Sequence, residues 1–237
     1  MKQSPLFNGD KIILSLCDFS GHWPSFYRKA GYDVRCFDLK KTGDVRLMLH
    51  TDEDLYGVLC APPCTEFTVS GNQYWPAKDA DGRTVTALSI VDACLRVVVL
   101  HPELKFWALE NPVGRLNRWL GEFEFAFDPC DFAAHLVEHP DWTDMLDVRK
   151  RAAAGEKLTA RDVEIVKNCN VYPKKTLLWG KFNHPIKCRV EPITVKASNG
   201  DKYSPIHMAT GGKSEKTKTI RSETPLGFAQ AFYEANQ

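Results

Sequence analysis

KIILSLCDFSGHWPSFYRKAGYDVRCFD, residues 11–38, decides the fold. Two apolar runs, 11–17 and 32–37, each stop at an aspartate, Asp18 and Asp38. A short unbroken apolar run reads as a buried strand. Between them, 19–23 reads as a turn. Pro24 suits the first position of a helix, and Gly31 suits its stop. There is room for one short helix only. Strand, helix, strand predicts a βαβ unit, with parallel strands and a right-handed crossover.

The pattern continues outward. Residues 57–60 are the core of another apolar strand, which ends at Ala61-Pro62-Pro63-Cys64. Val85, Leu88, Val91, Leu95 and Val98 fall three or four apart, which predicts a helix over 84–100. Pro102 follows it. The run 104–109 reads as a strand, with Glu110-Asn111-Pro112 at its end. Four strands therefore finish on Asp18, Asp38, the 62–64 loop and Glu110. In an open parallel sheet, ligands bind outside the carboxyl ends of the strands, so these groups are expected along one rim. The fold class is α/β.

The chain has 237 residues, 43% of them hydrophobic and 26% charged, which is ordinary for one large domain or a domain with an insertion. Net charge is +1, so the molecule as a whole is no polycation. From 171 to 237, however, 11 lysines and arginines face 5 acids, a net +6 that suits either a polyanion or a solvated lysine surface. The first ten residues are polar, and the apolar run behind them is too short for a signal core, so no targeting segment is expected. No apolar run approaches a membrane span. The eight cysteines include no C-x-x-C pair, so reduced thiols in a cytoplasm are expected, with no metal.

Residues 133–170 have a different character. A charged helix over 140–154 is acidic first (Asp141, Asp144) and basic last (Arg149, Lys150, Arg151), as the helix dipole favours. Gly155 stops it, and Thr159 with Asp162 forms a capping pattern for a second helix. This predicts a helical hairpin inserted into a domain made of 1–132 and 171–237. Strand signals return at 176–179. Residues 211–218 form a basic loop, and a last helix runs over 225–235, with Ser222 or Thr224 as its cap.

Cys64 stands directly behind two prolines. Each fixes its own φ and pushes the preceding residue to extended geometry, so the thiol sits on a stiff loop. That suits a nucleophile. On spacing alone, a packed core cysteine fits about as well.

Asp18-Phe19-Ser20-Gly21, then Ala61-Pro62-Pro63-Cys64-Thr65-Glu66-Phe67-Thr68, then Glu110-Asn111-Pro112 resembles the DNA (cytosine-5) methyltransferase family. The order matches, and the likeness is closest to its small, phage-type members. It covers roughly residues 12–129 well and the rest loosely. The resemblance implies a class I S-adenosylmethionine-dependent methyltransferase: a Rossmann-like, mostly parallel sheet, here with a helical insertion. It implies Cys64 as the nucleophile on cytosine C6, Glu110 as the acid at N3, Asn111 as the residue that orients the Glu110 loop, and DNA as the partner in a bacterial or phage-infected cytoplasm.

For S-adenosyl-L-methionine, the resemblance places Asp18, Phe19, Ser20, Gly21, Asp38, Leu39, Asp44, Val45, Pro62 and Thr224 at the cofactor. Asp38 would accept from the ribose hydroxyls and Asp44 from the adenine amine. Read alone, both aspartates also fit cap or turn roles. Pro63, Thr65 and Ser70 would line the substrate side, although Ser70-Gly71-Asn72 also reads as a turn. The family's arginine motif has Lys174 and Lys175 as its nearest counterpart, which gives charge without a bidentate fork. His22 and Trp23 stand where the family carries a second glycine. Only 181–221 remains for target recognition, so phosphate contacts from Lys187, Lys196, Lys213, Lys216 and Lys218 would supply much of the affinity. A free cytidine nucleotide or RNA as substrate, and a non-catalytic binder on the same scaffold, are the competing readings.

Overall fold

A computed structural model describes residues 8–50, 52–196, 200–209 and 222–237. The basic loop 211–218, with Lys213, Lys216 and Lys218, lies outside them. The chain divides into two compact units. The first comprises 1–126, 176–184 and 236–237; the second comprises 127–175 and 185–235. The unit that contains the 133–170 hairpin is thus larger than the hairpin alone.

The first unit contains β1 (Ile12–Leu16), α1 (Ser25–Lys29), β2 (Asp33–Phe37), β3 (Leu55–Cys60), α2 (Trp75–Ala80), α3 (Arg83–Leu100), β4 (Phe106–Pro112) and α4 (Asn117–Leu120). Next in the chain comes β5 (Phe125–Phe127), and about 50 residues later β6 (Thr176–Lys181). The strands form one six-stranded sheet in the order β2-β1-β3-β4-β6-β5. β1 pairs in parallel with β2 and β3, and β3 with β4. The chain steps from β1 to β2 on one side, then returns to β3 on the other. The switch point therefore lies between β1 and β3, where open α/β sheets bind their ligands.

β6 breaks the parallel pattern. It runs antiparallel to β4, and Glu110, Asn111 and Pro112 face Leu178, Leu177 and Thr176. Strand β4 consequently reaches Pro112, and Glu110 lies inside it rather than after it. The expected 104–109 strand is displaced because pairing with β6 continues past the apolar run. Pro112 closes the strand, where a missing N–H is tolerated.

Helix α3 forms where the periodicity predicts, but its buried face is shifted. Thr84, Ala87, Val91, Cys94 and Val97 are buried, whereas Val85 is exposed. Small Ala87, Ala93 and Cys94 let the helix approach the core, and Leu88, Leu95 and Val98 pack partly buried beside it. The core they join includes Leu16, Val58, Cys60, Phe67, Leu109 and Trp179. Volume at the contact, not apolar spacing alone, sets the face.

The second unit holds α5 (Trp142–Ala153), α6 (Ala160–Asn168), the short strands β7 (Val195–Lys196) and β8 (Lys202–Tyr203), α7 (Pro205–Ala209) and α8 (Leu226–Ala235). Thr159 and Asp162 form the expected capping box of α6. Met145, Val148, Ile165, Val166 and Cys169 pack the hairpin with Ile193 and Ile206. A separate aromatic group stacks Phe127 on Phe228 at 4.1 Å between ring centres, with Phe132 beside both.

Among the described residues, no helix is long and apolar enough to cross a membrane.

Candidate active site

The rim begins at β1. Cys17, just past the strand, has φ +60°, a left-handed conformation that costs a non-glycine residue energy. Its N–H donates to the Phe37 carbonyl at 2.8 Å, which locks the end of β1 to the end of β2. The Asp18 carboxylate, almost fully buried, then organises the next turn. One oxygen accepts from Ser20 Oγ at 2.6 Å and from the Gly21 N–H at 2.9 Å; the other accepts from the Trp23 N–H at 3.2 Å. Gly21 takes φ +66°, which a side chain would strain. Trp23 is fully buried and fills core.

At the end of β2, Asp38 accepts from the Lys40 N–H at 2.9 Å. Phe19 is 40% exposed and Leu39 is 73% exposed. The Phe19 ring carries the ammonium groups of Lys40 and Lys41 about 5 Å from its centre. An exposed aromatic face and an exposed leucine thus flank a carboxylate at the ends of two parallel strands. Asp44 is occupied differently. It caps the turn of Val45–Leu47, and Arg46 donates to both of its oxygens, so the cap role weighed from the sequence is the one seen. Val45 beside it is buried in the core.

The Cys64 loop leaves β3 next to β1, and the Ala61 N–H donates to the Leu16 carbonyl at 2.9 Å. Pro62 is buried, Pro63 and Thr65 are exposed, and Cys64 is half-buried. The Cys64 carbonyl accepts from the N–H groups of Phe67 and Thr68, both at 3.0 Å, so Cys64 begins a tight turn. Glu110 is half-buried and Asn111 fully buried. The Asn111 amide donates to the Pro62 carbonyl at 3.0 Å. This bond joins the strand that carries Glu110 to the loop that carries Cys64. Asn111 Oδ1 is a buried acceptor with no donor among the described residues.

Two residues that the sequence reading passed over hold the rest of the loop. Lys78, only 6% exposed, donates to the Thr65 carbonyl at 2.6 Å, and its ammonium lies 3.0 Å from Glu66 Oε2, an ion pair by distance whose geometry makes no hydrogen bond. Arg115, only 3% exposed, donates from Nε to the Glu66 carbonyl at 3.1 Å and from its backbone N–H to the Phe67 carbonyl at 2.9 Å. Its guanidinium also reaches Asp79 and Thr84. Nothing in the local pattern marks either residue, because lysine and arginine are expected outside. Gly114 makes the approach possible: a Cβ there would lie 2.0 Å from the Phe67 oxygen. Ser70 pairs with the Thr68 hydroxyl at 3.3 Å in an exposed 3₁₀ turn, Val69–Tyr74.

All eight cysteines are thiols. Burial pushes Cys130 up to about 11 and Cys169 up to about 12, and Cys17 is raised chiefly by its hydrogen bond to Cys94 and by burial. Lys174, Lys175 and Thr224 belong to the second unit. There Asp128 accepts from the Lys174 N–H at 2.8 Å and pairs with the Lys175 ammonium at 3.1 Å, and Thr224 is buried.

Among the described residues, no group of three or more histidine, cysteine and acidic side chains is placed to hold a metal ion. A cavity of about 250 Å³, lined by Leu14, Phe37, Met48, Leu55, Leu100 and His101 among others, contains none of the candidate residues. Cys64 lies in the loop after β3, and Glu110 lies in β4 two residues before its end. No protein-family model matches the chain, and no curated protein matches it.

Proposed function

We propose that the protein transfers a methyl group from S-adenosyl-L-methionine to C5 of cytosine in DNA through a covalent Cys64 adduct. The observation that carries this reading is the bond from Asn111 to Pro62, which ties the Glu110 strand to the Cys64 loop at the carboxyl ends of neighbouring parallel strands. A class I methyltransferase fold is the finer reading of the sheet, and it rests on the switch point between β1 and β3.

The residues at the ends of β1 and β2 suit the cofactor. Phe19 and Leu39 offer apolar surface, Asp38 offers a carboxylate for ribose hydroxyls, and the Asp18 turn presents glycine rather than a side chain. When bound, the cofactor supplies an electrophilic methyl on a sulfonium.

The chain's own residues supply the rest. Cytosine C5 is a weak nucleophile. Attack by the Cys64 thiolate on C6 forms an S–C6 bond and moves the electron pair of the C5–C6 double bond towards N3. Glu110 donates a proton to N3, so the ring becomes an enamine nucleophilic at C5. After C5 is methylated, its proton passes to solvent water, the C5–C6 double bond re-forms and Cys64 leaves as thiolate, while N3 returns its proton to Glu110. The target base must leave the duplex stack for the sulfur to reach C6. Exposed Tyr74 and Trp119, with Arg118 stacked on Trp75, are suited to contact unstacked bases and the backbone.

The test is direct. The full chain is incubated with methyl-tritiated S-adenosylmethionine and duplex DNA, and the DNA is hydrolysed to nucleosides. Label is expected in 5-methyl-2′-deoxycytidine and none with Cys64→Ser. Unlabelled DNA at low and moderate salt overturns the reading. Label on RNA or on a free cytidine nucleotide instead moves the same chemistry to that substrate.

A further inference from the structure

Lysine is seldom buried, and a buried ion pair is weak support for stability, because packed apolar residues of similar size do as well or better. Lys78 is nevertheless buried, and it spends its ammonium on the two residues that follow Cys64. Together with Arg115 it captures the carbonyls of Thr65, Glu66 and Phe67. The Cys64 carbonyl is itself taken by the turn it begins. Every carbonyl from 64 to 67 therefore has a donor, and the two cations come from different elements, α2 and the segment after β4.

We propose that Lys78 is a positioning residue for the Cys64 thiol, acting through the Thr65 carbonyl and the Glu66 carboxylate without touching substrate. The proposal rests on Cys64 being the nucleophile. The ammonium holds the turn that Cys64 begins, with its positive charge on the carbonyl of the next residue. A thiolate there is favoured by that charge; an isosteric methionine keeps the packed stem and removes the charge.

The experiment needs neither DNA nor cofactor. The full chain is alkylated with iodoacetamide from pH 5 to pH 10, and modification is assigned to Cys64 rather than Cys60 by fragmentation of the shared peptide. Lys78→Met should move the pH of half-maximal alkylation up by about one unit and slow the reaction at pH 7 roughly tenfold. Lys78→Arg should stay within about threefold of wild type. Because Lys78→Met leaves the Glu66 carboxylate unpaired, Lys78→Met/Glu66→Gln is the deciding variant, and it also carries the test if the single variant fails to fold. A profile still displaced in the double variant supports the proposal. A double variant that returns to the wild-type profile assigns the effect to the unpaired acid and overturns it, as does an unchanged profile in Lys78→Met. Normal alkylation of wild type combined with no DNA methylation overturns the proposed reaction and leaves the positioning role standing. A wild-type Cys64 that resists alkylation at every pH sinks the nucleophile itself, and the proposal with it.

Discussion

The two halves of the rim are held in different ways. The loop after β3 is tied down from far along the chain: Asn111 grips Pro62, Lys78 grips Thr65, and Arg115 grips Glu66 and Phe67. The loops after β1 and β2 are held mostly by their own residues, Asp18 by Ser20, Gly21 and Trp23, Asp38 by Lys40, and Asp44 by Arg46, with one distant tie, Arg96 of α3, which donates to the carbonyls of Val45, Arg46 and Met48. The first kind of loop is rigid because the fold is rigid. The second is shaped locally and leaves Phe19 and Leu39 exposed. A nucleophile must be held to within a fraction of an ångström, whereas a cofactor brings its own contacts and can complete a pre-shaped but open cradle. The difference in anchoring matches the difference in the proposed tasks.

The largest effect should come from the sulfur. Cys64→Ser removes only one soft atom from a half-buried site, so unfolding by denaturant should shift little. Methyl transfer should fall by about a thousandfold or more, since the covalent step is lost. Measuring turnover and unfolding on the same preparation checks both halves. Residual activity near wild type would break the comparison at its centre.

The anchoring itself is tested by Gly114→Ala. The new Cβ would lie against the Phe67 carbonyl, and backbone there has nowhere to yield without releasing Arg115. A loss of about 2–3 kcal/mol in denaturant unfolding is expected. Asn111→Leu follows. It keeps the branched shape but strands the buried Pro62 carbonyl, which should cost about 2 kcal/mol.

These anchors explain what was legible in the sequence. The βαβ unit, the Cys64 loop and α3 were readable because apolar runs, a Pro-Pro pair and a 3.6 period are local signals. The Thr159–Asp162 cap was readable for the same reason. The antiparallel entry of β6 beside β4 was not, because pairing partners some 65 residues apart leave no mark on either strand. Glu110 was therefore expected after its strand, not within it. Lys78 and Arg115 were invisible because their burial depends on carbonyls that only the folded loop presents. Asp44 shows the opposite limit: its neighbour Arg46 was in plain sight, two residues away, and the cap was readable from local sequence.

The locally held loops should respond more weakly. Asp18→Asn replaces one acceptor oxygen with a donor, while three groups donate to the native carboxylate. About 1 kcal/mol of stability should be lost. The apparent KM for S-adenosylmethionine should rise while the iodoacetamide profile of Cys64 stays unchanged. A changed Cys64 profile would mean that the two halves of the rim are coupled, which their separate anchoring argues against.

The smallest effect belongs to Asp44. Hydrogen bonds from Arg46, first from its side chain and then from its backbone, hold the carboxyl down to about 2, against an ordinary value of 3.8. A carboxyl with a lowered folded value binds protons less readily folded than unfolded. Its contribution is therefore fully present above about pH 4 and is lost as pH falls towards 2. The pair is exposed and screened, so the change should be slight, about 2 °C or less in Tm. Asp44→Asn should lower Tm slightly at pH 7 and flatten the decline between pH 4 and pH 2 relative to wild type, as read from thermal unfolding at fixed salt. Raising the salt should shrink the difference between the two proteins, because the interaction is a surface ion pair. The Asn111 and Gly114 variants should keep their deficits at high salt, since their bonds are buried. Salt therefore separates the two kinds of anchoring in a single series, and equal salt sensitivity across all of these variants would erase the distinction between them.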